Sequence, residues 1–190
     1  DLDTPLSTYI KLANTRYSYL LESAAQGGEK WGRFSVVGLP STEIIRVTAG
    51  HITVERDGAV EDLGVHADPL AFVEDWLTRF RYPPMEDLPI YSGGLVGYFG
   101  YDTVRYVEDR VRDSSPADTL NTPDIVLMVS NDVIVFDSVK SRMQVMTHAD
   151  PAEPGAWERA NARLDELVAM LDREMPAAIR HPSEGPAVHE

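Results

Sequence analysis

The sequence predicts an α+β fold built mainly from antiparallel sheets with flanking helices. Two observations carry this. Strand-like runs come in adjacent pairs with helices inserted between them, without the regular alternation of a doubly wound sheet. Two stretches, beginning at Asp68 and at Gly155, switch from alternating to helical spacing of their apolar residues. No internal repeat is present.

In order along the chain, DLDTPLSTYIKLA places Pro5 after Thr4 with Leu6, Ile10 and Leu12 following, which suits a short capped helix. Tyr17 to Leu21 then reads as extended, and Gly27-Gly28 as a turn. RFSVVGL, EIIRVTA and HITVERD are β-rich, the last two joined across Ala49-Gly50, and together they suggest an antiparallel meander. At Asp68 a good N-cap precedes Pro69 at the first helical position. Leu70, Val73, Trp76, Leu77 and Phe80 recur at helical spacing, and the helix should stop before Pro83-Pro84.

The segment YSGGLVGYFGYDTVRYVED is rich in glycine and aromatic residues. GxGxxG is missing and no Gly-Lys-Ser/Thr follows, so a strand whose glycines admit close backbone approach fits better than a phosphate loop. DIVLMV and DVIVFDSV, separated only by Ser130-Asn131, carry large aliphatics on both faces and read as central strands. RMQVMTH adds an alternating third. From Gly155, Trp157, Ala160, Leu164, Leu167, Val168 and Leu171 define one face of an amphipathic helix of about five turns. Residues 175–190 hold three prolines, one glycine and little apolar content, and read as a linker to something further.

Composition narrows the function classes. The 190 residues suit one good-sized domain or at most two small ones, and an apolar fraction of 43% is ordinary for a globular core. A formal net charge of -14, with no cluster of Lys and Arg, argues against nucleic acid and anionic membrane surfaces as partners. Cysteine is absent, which removes disulfides, thiolate-held zinc and thiol nucleophiles and fits a reducing cytoplasm. The apolar runs are too short to span a bilayer. The chain starts at Asp1 without methionine and reads as a trimmed segment.

Candidate chemistry is sparse. The five histidines lack the i, i+4 spacing of a helical zinc pair, and GxSxG is absent around Ser23 and Ser35. Acidic pairs such as Glu74-Asp75 and Glu108-Asp109 read as solvated faces. The run YLLESAAQGGEKWGRFS differs, because Glu22, Ser23 and Arg33 lie on two legs of one turn. A carboxylate, a hydroxyl and a guanidinium are the groups that hold the ammonium and carboxylate of a free amino acid. An ion pair across a hairpin is the plain alternative.

Three stretches taken together, DLDTPLSTYIKLA, then YLLES and GGEKWGRFSVVGL, then GGLVGYFGYDTVRYVE, resemble the N-terminal domain of anthranilate synthase component I, the large chorismate-using subunit of tryptophan biosynthesis. The resemblance runs in consistent order from Asp1 to about Glu174. It implies that residues 1–174 form the regulatory domain and that residues 175–190 lead towards a chorismate-binding catalytic domain not contained here. In that family the catalytic domain binds Mg2+ and converts chorismate to anthranilate, a lyase reaction using ammonia from a glutamine amidotransferase subunit, component II. By itself this segment is then expected to be inactive and to hold no cofactor.

The resemblance further implies that the LLES motif forms part of an L-tryptophan feedback site. Carried over by position, Ser23 is the tryptophan contact, Glu22 its neighbour in the motif, and Arg33 stands in the place of a basic residue across the turn. A wall of that pocket comes from the catalytic domain, so an isolated segment should bind tryptophan weakly. Aminodeoxychorismate synthase component I, a sister enzyme of folate biosynthesis, shares part of the LLES region, and a stand-alone amino-acid-binding module is the reading from a different class.

Overall fold

The computed structural model describes residues 3–23, 32–81, 88–89, 91–112 and 120–175. The Gly27-Gly28 turn, Pro83-Pro84 and all of the expected linker but Met175 lie outside the described residues. Nine strands form two antiparallel sheets, with four α-helices and two short 3-10 turns among the described residues. The α+β expectation therefore holds.

Helix α1, Pro5–Leu12, starts as its sequence demands: Thr4 accepts from the Ser7 amide and Ser7 Oγ accepts from the Thr4 amide, a reciprocal cap on two otherwise unpaired donors. Strands β1, Tyr19–Glu22, and β2, Phe34–Gly38, pair antiparallel and belong to a four-stranded sheet. Strands β3, Glu43–Thr48, β4, His51–Arg56, and β5, Ala59–Val65, make a meander in the other, five-stranded sheet. Its two turns, Ala49-Gly50 and Asp57-Gly58, have both central residues at positive φ, the geometry that matches the twist of a two-residue hairpin.

The single meander expected from RFSVVGL to HITVERD is thus corrected. The chain leaves one sheet after Gly38 and enters the other at Glu43. The separation repeats at Ser130-Asn131. Strand β6, Gly94–Phe99, pairs with β7, Ile125–Ser130, in the five-stranded sheet, ordered β5-β4-β3-β7-β6. Strand β8, Asp132–Asp137, sits one residue further on in the four-stranded sheet with β9, Arg142–Thr147, ordered β1-β2-β8-β9. Both aliphatic runs are central, as their composition predicts, but in different sheets.

Helix α2, Pro69–Leu77, is capped by Asp68 Oδ1, which accepts from the Leu70 and Ala71 amides. It lays Val73 and Trp76 onto Ile45, Val47, Ile52, Val54, Ile125 and Leu127, the core of the five-stranded sheet. Phe80 lies beyond the end of the helix and still packs against this core. The short α3, Val104–Val107, follows β6.

Helix α4, Ala156–Leu171, and α1 share one face of the four-stranded sheet, where Leu12, Ala13, Val37, Leu39, Ile134, Leu167 and Leu171 are buried together. Lys11 Nζ donates to the Leu171 carbonyl at 2.8 Å, placing a cation on the negative end of α4. The apolar face read for α4 needs correction. Leu167 and Leu171 are buried, but Trp157 is 76% exposed and Val168 half exposed, so the packed stripe is narrower than the sequence pattern. The helix runs 16 residues, nearer four and a half turns.

Candidate functional site

Among the described residues, strand β1 lies at the edge of the four-stranded sheet and pairs only with β2, in the register Tyr19↔Gly38, Leu20↔Val37, Leu21↔Val36 and Glu22↔Ser35. Successive side chains alternate between the faces. Leu20 joins the core under α1 and α4, whereas Tyr19 packs on the opposite side with Phe34, Val36, Val133, Val135, Tyr91 and Met146. Burial fades along the strand. Leu21 is 49% exposed, and Glu22 and Ser23 are exposed at the strand's end. By the same alternation Leu21 shares the Tyr19 face and Glu22 the Leu20 face, so the end of the strand offers apolar and acidic surface on opposite sides.

Arg33 enters β2 and points elsewhere. Its Nε and Nη2 donate to the two carboxylate oxygens of Asp137 at 2.8 and 2.6 Å, a forked pair, and its guanidinium lies 4.7 Å from the Phe34 ring centre. Asp137 Oδ1 also accepts from the Val139 and Lys140 amides, so this carboxylate closes the β8 to β9 turn. Among the described residues the ion pair of Arg33 is with Asp137 and not with Glu22, so the simple cross-hairpin pair is not formed.

Sequence reasoning missed Asp137 because it lies 104 residues from Arg33, beyond any local spacing rule. The Arg33 guanidinium, aided by the two amides, holds the Asp137 carboxyl down from 3.8 to about 2 against a smaller opposing effect of burial. The sign follows directly: a carboxyl whose folded pKa is depressed contributes stability that is complete above its unfolded value and is lost as pH falls towards about 2. Melting temperatures taken between pH 5 and 2 should therefore fall less steeply for Asp137→Asn, which starts lower. Parallel wild-type and variant curves across that window would contradict the assignment.

At the other end of β1, Tyr19 Oη lies 2.8 Å from Tyr91 Oη and 2.7 Å from Ser130 Oγ. Burial pushes the Tyr19 phenol well above its ordinary value, so it stays protonated. Its ring occupies the space over Gly38, where an added Cβ would come within 2.0 Å of Cε1. A tyrosine opposite a glycine across a strand pair is the one signal in YSYLLES that marks this contact.

Beyond this end of the β1-β2 pair lies a hollow of about 360 Å³ whose lining includes Leu39, Ser41, Asn131, Asp132 and Arg163. Arg163 Nε is paired with Asp132 at 2.8 Å and its Nη1 bonds Glu166, which leaves this hollow internally neutralised. No group of three or more His, Asp or Glu that could hold a metal ion occurs among the described residues, and no helix there is long and apolar enough to cross a membrane.

No family model matches the chain. Comparison with curated proteins and solved structures finds relatives along nearly its whole length. It is 50% identical to anthranilate synthase component 1 of Pseudomonas aeruginosa over 171 residues, 90% of this chain and 35% of that protein. It is 42% identical to the protein of the same name from Neisseria meningitidis serogroup B, again over 90% of this chain and 35% of the relative. The crystal structure of anthranilate synthase component I from Streptococcus pneumoniae superposes with a TM-score of 0.60 at 26% identity, covering 93% of this chain and 36% of that one.

The two-sheet scaffold thus resembles the fold of about a third of that solved chain. The chain is homologous to the N-terminal part, about 35%, of anthranilate synthase component 1. It spans about a third of the length of the relatives it matches.

Proposed function

We propose that this chain is the regulatory domain of anthranilate synthase component I, with residues 1–174 as the domain and 175–190 as the connection to a chorismate-binding catalytic domain. In the complete enzyme, chorismate and ammonia are converted to anthranilate in tryptophan biosynthesis, the ammonia coming from a glutamine amidotransferase subunit. Mg2+ belongs to the catalytic domain. The present domain supplies control, through an L-tryptophan site whose wall here is Glu22 and Ser23.

The observation that supports this most is the open end of β1. Glu22 is exposed and without an ion pair among the described residues, which suits it to a ligand ammonium, and Ser23 beside it offers a hydroxyl. Leu21, half exposed on the other face of the same strand end from Glu22, adds apolar surface there. Arg33 has the lesser part. Its forked pair with Asp137 must loosen, or its remaining nitrogen must serve, before it meets a ligand carboxylate.

Because the end of β1 is open, an indole resting there would keep much of its surface in water, whereas small-molecule sites cover most of their ligand. Isothermal titration of L-tryptophan into this 190-residue chain should therefore give only weak binding, in the millimolar range. Micromolar or tighter binding would show that the site is complete without a second wall. Anthranilate fluorescence from the full-length protein supplied with chorismate and an ammonia source tests the reaction itself.

A further inference from the structure

The end of β1 that carries Glu22 and Ser23 is exposed, but its beginning is bolted to a buried joint. Ser130, 2% exposed, is the last residue of β7, and Asn131 alone separates it from β8, so its hydroxyl marks the point where the chain passes between the sheets. Tyr91 lies in the segment leading into β6, the edge strand of the five-stranded sheet. Tyr19 belongs to β1, the edge strand of the four-stranded sheet. The Tyr19 phenolic oxygen, carried by the four-stranded sheet, therefore reaches Ser130 of the five-stranded sheet at 2.7 Å and Tyr91, just ahead of that sheet's edge strand, at 2.8 Å.

We infer that Tyr19 is the positioning residue through which the effector end of β1 is coupled to the joint between the two sheets. The inference rests on the reading of Glu22 and Ser23 as effector contacts. Tyr19 and Glu22 are the first and last residues of a four-residue strand, about 10 Å apart at the rise of an extended chain. A strand this short moves as a unit. Its neighbour β2 offers Gly38 opposite Tyr19, and the ring seated over that glycine fixes the strand's height as well as its register. A ligand that pulls on Glu22 and Ser23 therefore loads the Tyr19 hydroxyl against Ser130 and Tyr91. Conversely, a shift of one sheet against the other displaces Glu22 and Ser23.

A phenylalanine would fill the same space over Gly38, so shape alone does not require the hydroxyl. What the hydroxyl adds is a directional link to Ser130 in the other sheet, which also gives that buried oxygen a partner, and a second link to Tyr91 ahead of β6.

The test uses the full-length enzyme, with anthranilate formation titrated by L-tryptophan for wild type, Tyr19→Phe, Tyr91→Phe and Ser23→Ala. For Tyr19→Phe, half-inhibition should move to roughly fivefold higher tryptophan, the low end of ordinary coupling between sites, while kcat and KM for chorismate without tryptophan stay within about twofold. Tyr91→Phe, which removes one of the two links and leaves the bond to Ser130, should shift half-inhibition in the same direction by a smaller factor, and keeps the test available should Tyr19→Phe fail to fold. A role in packing alone would lower the melting temperature and leave the half-inhibition point in place. If Ser23→Ala loses sensitivity and both phenylalanine variants keep it, the coupling role is overturned and the effector site stands. If Ser23→Ala keeps full sensitivity, the effector site itself is misassigned and the inference falls with it.

Discussion

Glu22→Lys in the full-length enzyme should raise the L-tryptophan concentration for half-inhibition by about a hundredfold while chorismate turnover changes far less. Two effects add. Losing a charge-assisted hydrogen bond to the ligand ammonium costs on the order of 1.5–3 kcal/mol, and every 1.4 kcal/mol is about tenfold in affinity. Reversing the sign then sets one ammonium against another, so the variant repels what the wild type attracts. The substitution is structurally mild, since Glu22 is exposed at the end of an edge strand and shares no ion pair among the described residues. Steady-state inhibition curves measure the shift. Unchanged curves would remove Glu22 from the site.

Gly97→Ala should destabilise the chain by about 3 kcal/mol, at the upper end of what forced overpacking costs, and lower its melting temperature by roughly 6–12 °C for a chain of this size. A Cβ at Gly97 would stand 1.9 Å from the Val126 carbonyl oxygen and 2.8 Å from its carbon, and both atoms belong to the backbone of the neighbouring strand β7. No side-chain rotation relieves that contact. The β6-β7 ladder, paired from Gly94↔Ser130 to Phe99↔Ile125, has to spread instead. Differential scanning calorimetry of the isolated chain measures the effect, and a wild-type midpoint would contradict the close approach.

That glycine shows how much of the structure was legible beforehand. In GGLVGYFG, missing phosphate-loop spacing pointed to a strand with close backbone approach, and β6 is such a strand. Local capping was equally readable, because Thr4-Pro5 and Asp68-Pro69 carry their own hydrogen-bonding instructions. Strand β5 is marked only by its turn, Asp57-Gly58, and not by alternation. Its AVEDLGV is acidic and largely exposed, as an edge strand's protection against pairing with other chains requires, and the register slips between Ile52 and Thr53, so simple alternation fails.

Sheet assignment was invisible for a different reason. Nothing local in IVLMVS-N-DVIVFD distinguishes a hairpin from a chain crossing between sheets. The outcome depends on partners far away in sequence, β3 and β6 for one run and β2 for the other, with β9 alone close by. The same limit hid Asp137 from Arg33. Within the candidate site, residue type and motif singled out Glu22 and Ser23 as a polar strand end, whereas the Tyr19-Ser130-Tyr91 joint depends on residues up to 111 positions apart.

The claim that Glu22 and Ser23 regulate and do not catalyse is tested most directly by titrating the full-length Ser23→Ala enzyme with L-tryptophan while following anthranilate formation. Loss of one hydroxyl contact, about 1 kcal/mol or somewhat more, should raise half-inhibition several-fold to tenfold and alter turnover much less. Lost turnover with tryptophan sensitivity retained would contradict the account.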